Sequence, residues 1–331
     1  MADYEVAELL KSTNMYDLAL KTNHKIALTA EEDEAKRQLD AYFKDAGARG
    51  VDANHEIAAF MNKVVNEEIY NTPDELLDSL FDQSTIGEFD DFEATTTPKN
   101  TLVAYEAAKG GNVKRSFLDI GVLKPTWKNR QIETDISFAD LRRNGWKIIS
   151  TYTEYALAAF KNMLFKDIFD VIDVGIASGA ENYIDATSMA LPDQVTADAL
   201  SLYLQDRNDN GSGLIIARSK YIQAMSKLKG YLSDELMNEI NRTGRLGTYD
   251  GCSLIPISSA KKLGDGTGLI ADKRIFGIAG KIGSLNMKGE IHTYQVEDPN
   301  KEQIHLLFKD FTYGYAFNKD TLDNVVKVVL K

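Results

Sequence analysis

VTADALSLYLQDRNDNGSGLIIARSKYIQAMSKL, residues 195–228, changes its periodicity twice within one short stretch. VTADALSLYLQD reads as a helix with Thr196 near its start, GLIIA as a strand, and the following run to Leu228 as a second helix. Between the first helix and the strand, Asp206, Asn208, Asn210 and Gly211 occupy positions one, three, five and six of a calcium loop. Position twelve, which needs a bidentate Glu, is Ala217, and only Asp206 brings a carboxylate to the odd positions, so the segment reads as a polar turn before a buried strand. A helix, a strand and a helix in this order predict a mixed α/β region from Pro192 onward.

Downstream, SDELMNEINR predicts another helix opening at Ser233, and GRLGTYDGCSLIPISS (residues 244–259) follows it. Gly244, Gly247 and Gly251 fit neither the dinucleotide fingerprint nor the phosphate loop. They read as turn residues feeding the strand CSLIPI. Gly264, Asp265 and Gly266 belong to GDGTG, which lacks the Lys-Ser/Thr ending of a phosphate loop and reads as a loop tip. LIADKRIFGIAGKI then leads to three strand-like pieces, GEIHTYQVE, QIHLLFKDFTYGYAF and VVKVVL. Asp298, Pro299 and Asn300 form a turn between the first two.

Upstream, residues from Thr153 to about Ala177 predict the longest helix, with Phe160, Leu164, Ile168 and Val171 on its apolar face. Asn162, Lys166, Asp170 and Asp173 form its polar face, and Gly175 and Gly179 suit its end. Such a helix spans roughly 35 to 40 Å. Before it, residues 109–130 carry Lys109, Lys114, Arg115, Lys124, Lys128 and Arg130 against the single carboxylate Asp119. With Gly110, Gly111 and Asn112 as a turn, and strand-like alternation on both sides of Pro125, this segment predicts a basic hairpin that lies against something else. Residues 1–95 have the opposite sign, with 22 acidic side chains against 8 basic ones. Helices are expected at Glu32–Asp45 and Ala53–Ile69, the second capped by Asn54, and TIGEFDDFEATTTPKN (residues 85–100) reads as an extended linker.

The whole chain has 331 residues, 44% of them hydrophobic, and a net charge of -12. That fraction supports a substantial core, and that charge disfavours general wrapping of phosphate backbones. MADYEVAELLKSTNMYDL lacks the order of a signal peptide, and no apolar run reaches the length of a membrane span, which predicts a protein of cytosol-like conditions. One cysteine, Cys252, excludes an internal disulfide and a cysteine metal cluster; it reads as a small buried apolar residue. His292 and His305 are expected as cross-strand neighbours, two imidazoles without the third ligand of a catalytic zinc site. No G-x-S-x-G motif occurs, so no catalytic, cofactor or metal residue is assigned. Trp127 beside Lys128 would suit base stacking, but a basic ribbon and an acidic region in one chain point first to association between copies.

The order is acidic helical region, basic hairpin, long helix, mixed α/β region and terminal strands. It resembles the major capsid proteins of tailed bacteriophages, the Hong Kong-type capsid fold. Residues 195–228, with Tyr221 and Met225, resemble the axial-domain helix, strand and following helix of that family. GRLGTYDGCSLIPISS resembles its glycine-bearing turn and hydrophobic strand, and ADKRIFGIAGKIGSLNMKGEI resembles its return to the peripheral domain. The resemblance implies an α+β fold divided into an N-terminal arm (1–100), an E-loop with the first peripheral strands (101–146), a spine helix (147–190), an axial domain (191–280) and return strands of the peripheral domain (281–331).

In that reading Lys109, Gly110, Gly111, Lys114, Arg115, Lys124, Trp127, Lys128 and Arg130 form the E-loop assembly surface, and the arm is an extended clasp for a partner. Gly244, Gly247, Gly251, Gly264, Asp265 and Gly266 shape axial-domain turns. Some relatives join an E-loop lysine to an asparagine; Lys109 or Lys114 with Asn300 or Asn318 would be the counterparts, but no motif selects a pair and no cross-link is expected. The implied function is a capsid protein that forms hexamers and pentamers of an icosahedral shell around double-stranded DNA, assembled in the host cytoplasm. Its partners would be itself and scaffolding, portal and decoration proteins, with no membrane. An encapsulin-like compartment shell shares the fold, and an acidic nucleotide-binding α/β enzyme is the alternative from another class.

Overall fold

A computed structural model of the chain describes residues 13–71, 74–95, 122–207, 213–228, 247–296, 302–317 and 322–331. The described residues before β1 are mainly helical. Helix α1 (Met15–His24) starts at Asn14, whose side chain accepts from the Asp17 amide. Helix α2 (Ala30–Arg49) opens with a reciprocal capping box: Thr29 Oγ1 accepts from the Glu32 amide at 3.2 Å, and Glu32 accepts from the Thr29 amide at 2.8 Å. After a 3-10 turn comes α3 (Asn54–Asn71). Asn54 does not cap it, because its side-chain oxygen Oδ1 is buried and accepts no hydrogen bond among the described residues. Helix α4 (Glu75–Leu80), capped by Asp74, leads directly into strand β1 (Phe81–Ile86).

These helices correct the expectation of an extended, partner-clasping arm. Leu18, Leu39, Phe43, Phe60, Met61 and Val65 share one core with the long helix, and one acidic side chain, Glu68, is itself buried there and receives Lys161 of that helix at 2.8 Å. Phe43 lies 5.0 Å from Phe60 and 6.1 Å from Trp146, ring centroid to centroid. Residues 85 and 86 also depart from the linker reading, since they belong to β1.

Two residue pairs follow: β2 (Ala94–Thr95) runs antiparallel to β3 (Val122–Leu123). Strand β4 (Thr126–Ser137) follows, then α5 (Phe138–Asn144) and the 30-residue helix α6 (Trp146–Gly175). The first five-stranded sheet is built around β12 (Gln303–Phe317). One edge of β12 takes β10 (Gly283–Lys288) and β11 (His292–Val296), the other takes β4, and β1 adds parallel to β10. The β4–β12 register shifts between Phe308 and Phe311, a bulge that holds Asp310 at φ 69°. The two halves of β4 therefore pair with β12 on either side of that bulge.

The second sheet has the order β5-β13-β9-β6-β8-β7. Its strands are β5 (Tyr183–Ala186), β6 (Leu214–Arg218), β7 (Thr248–Tyr249), β8 (Cys252–Ile257), β9 (Arg274–Ile278) and β13 (Val325–Leu330). Helices α7 (Gln194–Arg207) and α8 (Ser219–Met225) cover one face. Alternation divides the strands between two cores. Ile216, Phe276, Ile278 and Val325 face the α6 core, while Ile215, Ile275, Val326 and Val328 face α7 and α8. Phe169 of α6 stacks on Phe276 with centroids 5.9 Å apart, which joins the two halves. Gly277 admits α7 closely; a Cβ there would meet Leu200 and Val326 at 2.7 Å. The last strand thus departs from the expected return to the peripheral sheet: all six of its residues are buried, and it lies between β5 and β9. The helix expected at SDELMNEINR lies outside the described residues.

Candidate functional site

The polar centre of the first half is Asp167, only 6% exposed on α6. Its carboxylate receives Lys128 Nζ at 2.8 Å and Arg130 Nη2 at 2.6 Å, both from β4, and the hydroxyl of Tyr313 from β12. Burial alone would push this carboxyl up, but the hydrogen bonds from Lys128, Tyr313 and Arg130 outweigh it and hold it below the usual range. Burial and then Asp167 push the Tyr313 phenol up. The outer half of β4 is thereby tied to α6 by charge as well as to β12 by its ladder.

Of the hairpin residues singled out by sequence, Lys109, Gly110, Gly111, Lys114 and Arg115 lie outside the described residues, as do Asn300 and Asn318. Lys124 is exposed, 3.9 Å from Glu93. Lys128 and Arg130 find their counter-charge within the chain at Asp167, where sequence reasoning looked for it on another copy. Trp127 lies on Gly314, where a Cβ would meet the indole at 2.7 Å, and Lys288 sits 5.3 Å from its ring. Asp167 and Tyr313 went unmarked in the sequence. The available signal was a carboxylate between Leu164 and Ile168 on the apolar stripe of a long helix.

Among the expected turn residues, Gly244 lies outside the described residues. Gly247 accepts the Leu254 amide through its carbonyl at 2.9 Å. Asp250 (φ 47°) and Gly251 (φ 79°) form the two-residue connection between β7 and β8, the backbone demanded by a type I′ hairpin. Gly264, Asp265 and Gly266 form the tip of a second tight loop, closed by the Leu263 amide to Thr267 O and by the Thr267 amide to Asp265 Oδ1. Cys252 is buried, and burial pushes its thiol up, away from the thiolate needed for reactivity.

The histidine expectation is corrected. His292 pairs with Lys309 and His305 with Val296, so the two imidazoles are not partners across the ladder. His305 instead reaches Asp135 through Nδ1 and Glu133 through Nε2, the latter at 2.6 Å, and these hydrogen bonds raise its pKa, Asp135 the more. Each nitrogen faces a different carboxylate, an arrangement that favours the protonated ring. Among the described residues no group of three or more His, Cys, Asp and Glu side chains is placed to hold a metal ion, and no helix is long and apolar enough to cross a membrane.

Surface grooves lie beside these elements. A groove of about 1130 Å³ runs between α3, the end of β1 and the turn at Gly289, lined by Glu67, Glu88 and Glu290 with Lys63 and His292. A second, of about 410 Å³, lies between α6, β4 and the 262–264 loop and is mostly apolar.

A family model described as "SPbeta prophage-derived putative capsid protein YonB" matches residues 7–308. No curated protein matches the chain. Among solved structures, the chain is similar to one from Gordonia phage Cozz at 14% identity, covering 76% of this chain and 84% of that one with a TM-score of 0.51. It is also similar to one from Microbacterium phage Oxtober96, at 12% identity, 78% and 92% coverage and a TM-score of 0.51. A third, from Mycobacterium phage Bobi, shares 10% identity over 80% and 94% of the two chains with a TM-score of 0.50. At such identities the likeness shows the fold alone: the mixed helix and sheet fold of phage capsid proteins, as the sequence resemblance implied.

Proposed function

The chain belongs to the SPbeta prophage-derived putative capsid protein family YonB, and from that premise we propose that it is the major shell protein of a tailed-phage head. The observation that carries this reading is the family match from residue 7 to residue 308, which takes in the long helix and most strands of both sheets and ends within β12, before β13. The role is structural, not enzymatic. Copies assemble into hexamers and pentamers that close into an icosahedral shell, and many small repeated contacts supply its stability. The peripheral domain corresponds to α6 with the β12 sheet, and the axial domain to the second sheet with α7 and α8. Gly247, Gly251 and the 264–266 tip shape turns of the axial domain. Residues 109–115, rich in lysine and arginine, reach an acidic surface of the adjacent copy. The groove lined by Glu67, Glu88 and Glu290 has the matching sign.

The shell encloses double-stranded DNA without reading its sequence, and a net charge of -12 limits adhesion of DNA to the wall. Assembly takes place in the host cytoplasm, with scaffolding, portal and decoration proteins as further partners. Velocity sedimentation of the purified full chain, with multi-angle light scattering, tests the reading. Capsomer-sized rings or closed particles are the expected outcome. A chain that stays monomeric at every concentration, alone and with the products of its neighbouring genes, overturns it. Nuclease-protected DNA in particles from producing cells separates a head from a cargo compartment.

A further inference from the structure

The two most exposed aromatic side chains among the described residues are Phe89, 91% exposed, and Tyr155, 67% exposed. They occupy complementary surroundings. Phe89 stands at the third position of a turn, Gly87 to Asp90, closed by the Asp90 amide on Gly87 O at 3.2 Å. The Asp90 carboxylate accepts the Gly87 amide at 3.1 Å and lies so close that a Cβ at Gly87 would meet it at 2.5 Å. A ring on so short and doubly bonded a turn is held out in water by local geometry, at a hydrophobic cost that burial in a partner would relieve. Around it the segment 87–95 carries Glu88, Asp90, Asp91 and Glu93 and no basic residue.

Tyr155 walls the groove of about 410 Å³ whose apolar lining includes Ile132, Met163 and Leu263. Its charged lining consists of Arg130, already paired with Asp167, and Lys262, with no carboxylate. Lys262 is exposed. An aromatic side chain in an acidic surround therefore matches an apolar hole in a basic surround. Phe89 does not fill the groove of its own chain, since it is open to solvent. Two different surfaces that fit each other make a head-to-tail contact, the kind that closes rings.

We propose that Phe89 of one copy inserts into the groove between α6, β4 and the 262–264 loop of a second copy, with Asp91 of the first meeting Lys262 of the second. This rests on the self-assembly reading and adds to it a defined contact. The anchor is an aromatic side chain in a pocket, the feature that most often dominates an interface, with charge setting orientation.

The test places a benzophenone amino acid at position 89 of the full chain and assembles it with isotopically labelled copies. The expected product of irradiation is a cross-link to residues 155–163 or 262–264 of a labelled copy. Assembled particles whose cross-links map elsewhere overturn the contact while leaving the shell reading intact. A wild-type chain that never assembles removes the shell reading itself. Phe89 is exposed, so Phe89→Ala is expected to fold. It should raise the critical assembly concentration by about tenfold or more, with Phe89→Leu recovering part of the loss. Lys262→Glu should weaken assembly, and adding Asp91→Lys should restore it. A Phe89→Ala chain that assembles as readily as wild type counts against the proposal.

Discussion

Helix α6 is held at two places by opposite arrangements of charge. Near its middle the anion is buried: the Asp167 side chain is 9% exposed, while Lys128 and Arg130 keep 30% and 34% of theirs in solvent. At its end the cation is buried. Lys327 of β13 has a side chain 9% exposed and bonds Asp173 Oδ1 at 2.9 Å, Asp173 O at 2.5 Å and Ile176 O at 3.2 Å. Asp173 also receives Arg274 Nε at 3.0 Å. The first site ties a strand next to the basic hairpin onto the helix. The second caps the helix carbonyls with a positive charge and fixes the second sheet to its end. The lesson concerns what is left behind when one partner goes. Cations a third exposed can hydrate, but helix-end carbonyls facing a newly buried anion cannot.

Reversing the buried cation should have the largest effect. Lys327→Glu sets a carboxylate beside Asp173 and two carbonyl oxygens, and is expected to cost about 3–5 kcal/mol, read as a fall in the urea midpoint. A cost no greater than that of a surface substitution would break the comparison.

Asp167→Asn should cost less, about 1.5–3 kcal/mol, because both cations can turn to water. Its pH dependence sharpens the point. Because its pKa lies below the ordinary 3.8 in the folded chain, the carboxylate's contribution is present in full above that value and lost as pH falls through the lower folded one. The stability gap between wild type and Asp167→Asn should accordingly narrow on acidification below about pH 4.

A backbone change away from both anchors comes next. Gly251→Ala meets no atom within 4 Å but must hold φ 79°, so a loss of about 1 kcal/mol is expected from strain alone.

The smallest effect belongs to His305. Its folded pKa is raised above 6.5, so its contribution is complete below that pH and fades as pH rises through the folded value. A slight loss of thermal stability on passing from pH 6 to more alkaline buffer should be present in wild type and absent in His305→Gln.

Richness in aliphatic, β-branched and aromatic residues made QIHLLFKDFTYGYAF and VVKVVL legible as strands, and both appear with those limits. It did not tell where they go. Six consecutive buried residues around Lys327 are the pattern of a strand covered on both faces, which the central place of β13 explains. The long helix was legible too, yet it starts at Trp146, seven residues before Thr153. No local capping side chain announces that start. Gly145 precedes it at φ 48°, and the Trp146 amide donates to Asp40 of α2 at 3.2 Å, a cap supplied by another helix. The helices before residue 71 were partly legible and their packing was not. Their net charge drew attention to the acidic faces, whereas the apolar stripes facing Trp146 and Ile149 decide where they lie. Among the candidate site residues, Lys128 and Arg130 were visible as charges, but the carboxylate that engages them stands 39 and 37 positions away on another element.

The most direct measurement is cryo-electron microscopy of particles assembled from the full chain. The account predicts closed shells whose every subunit carries β4 along α6, with Lys128 and Arg130 against Asp167. Finding no particles under any assembly condition, or shells in which β4 stands away from α6, would contradict it.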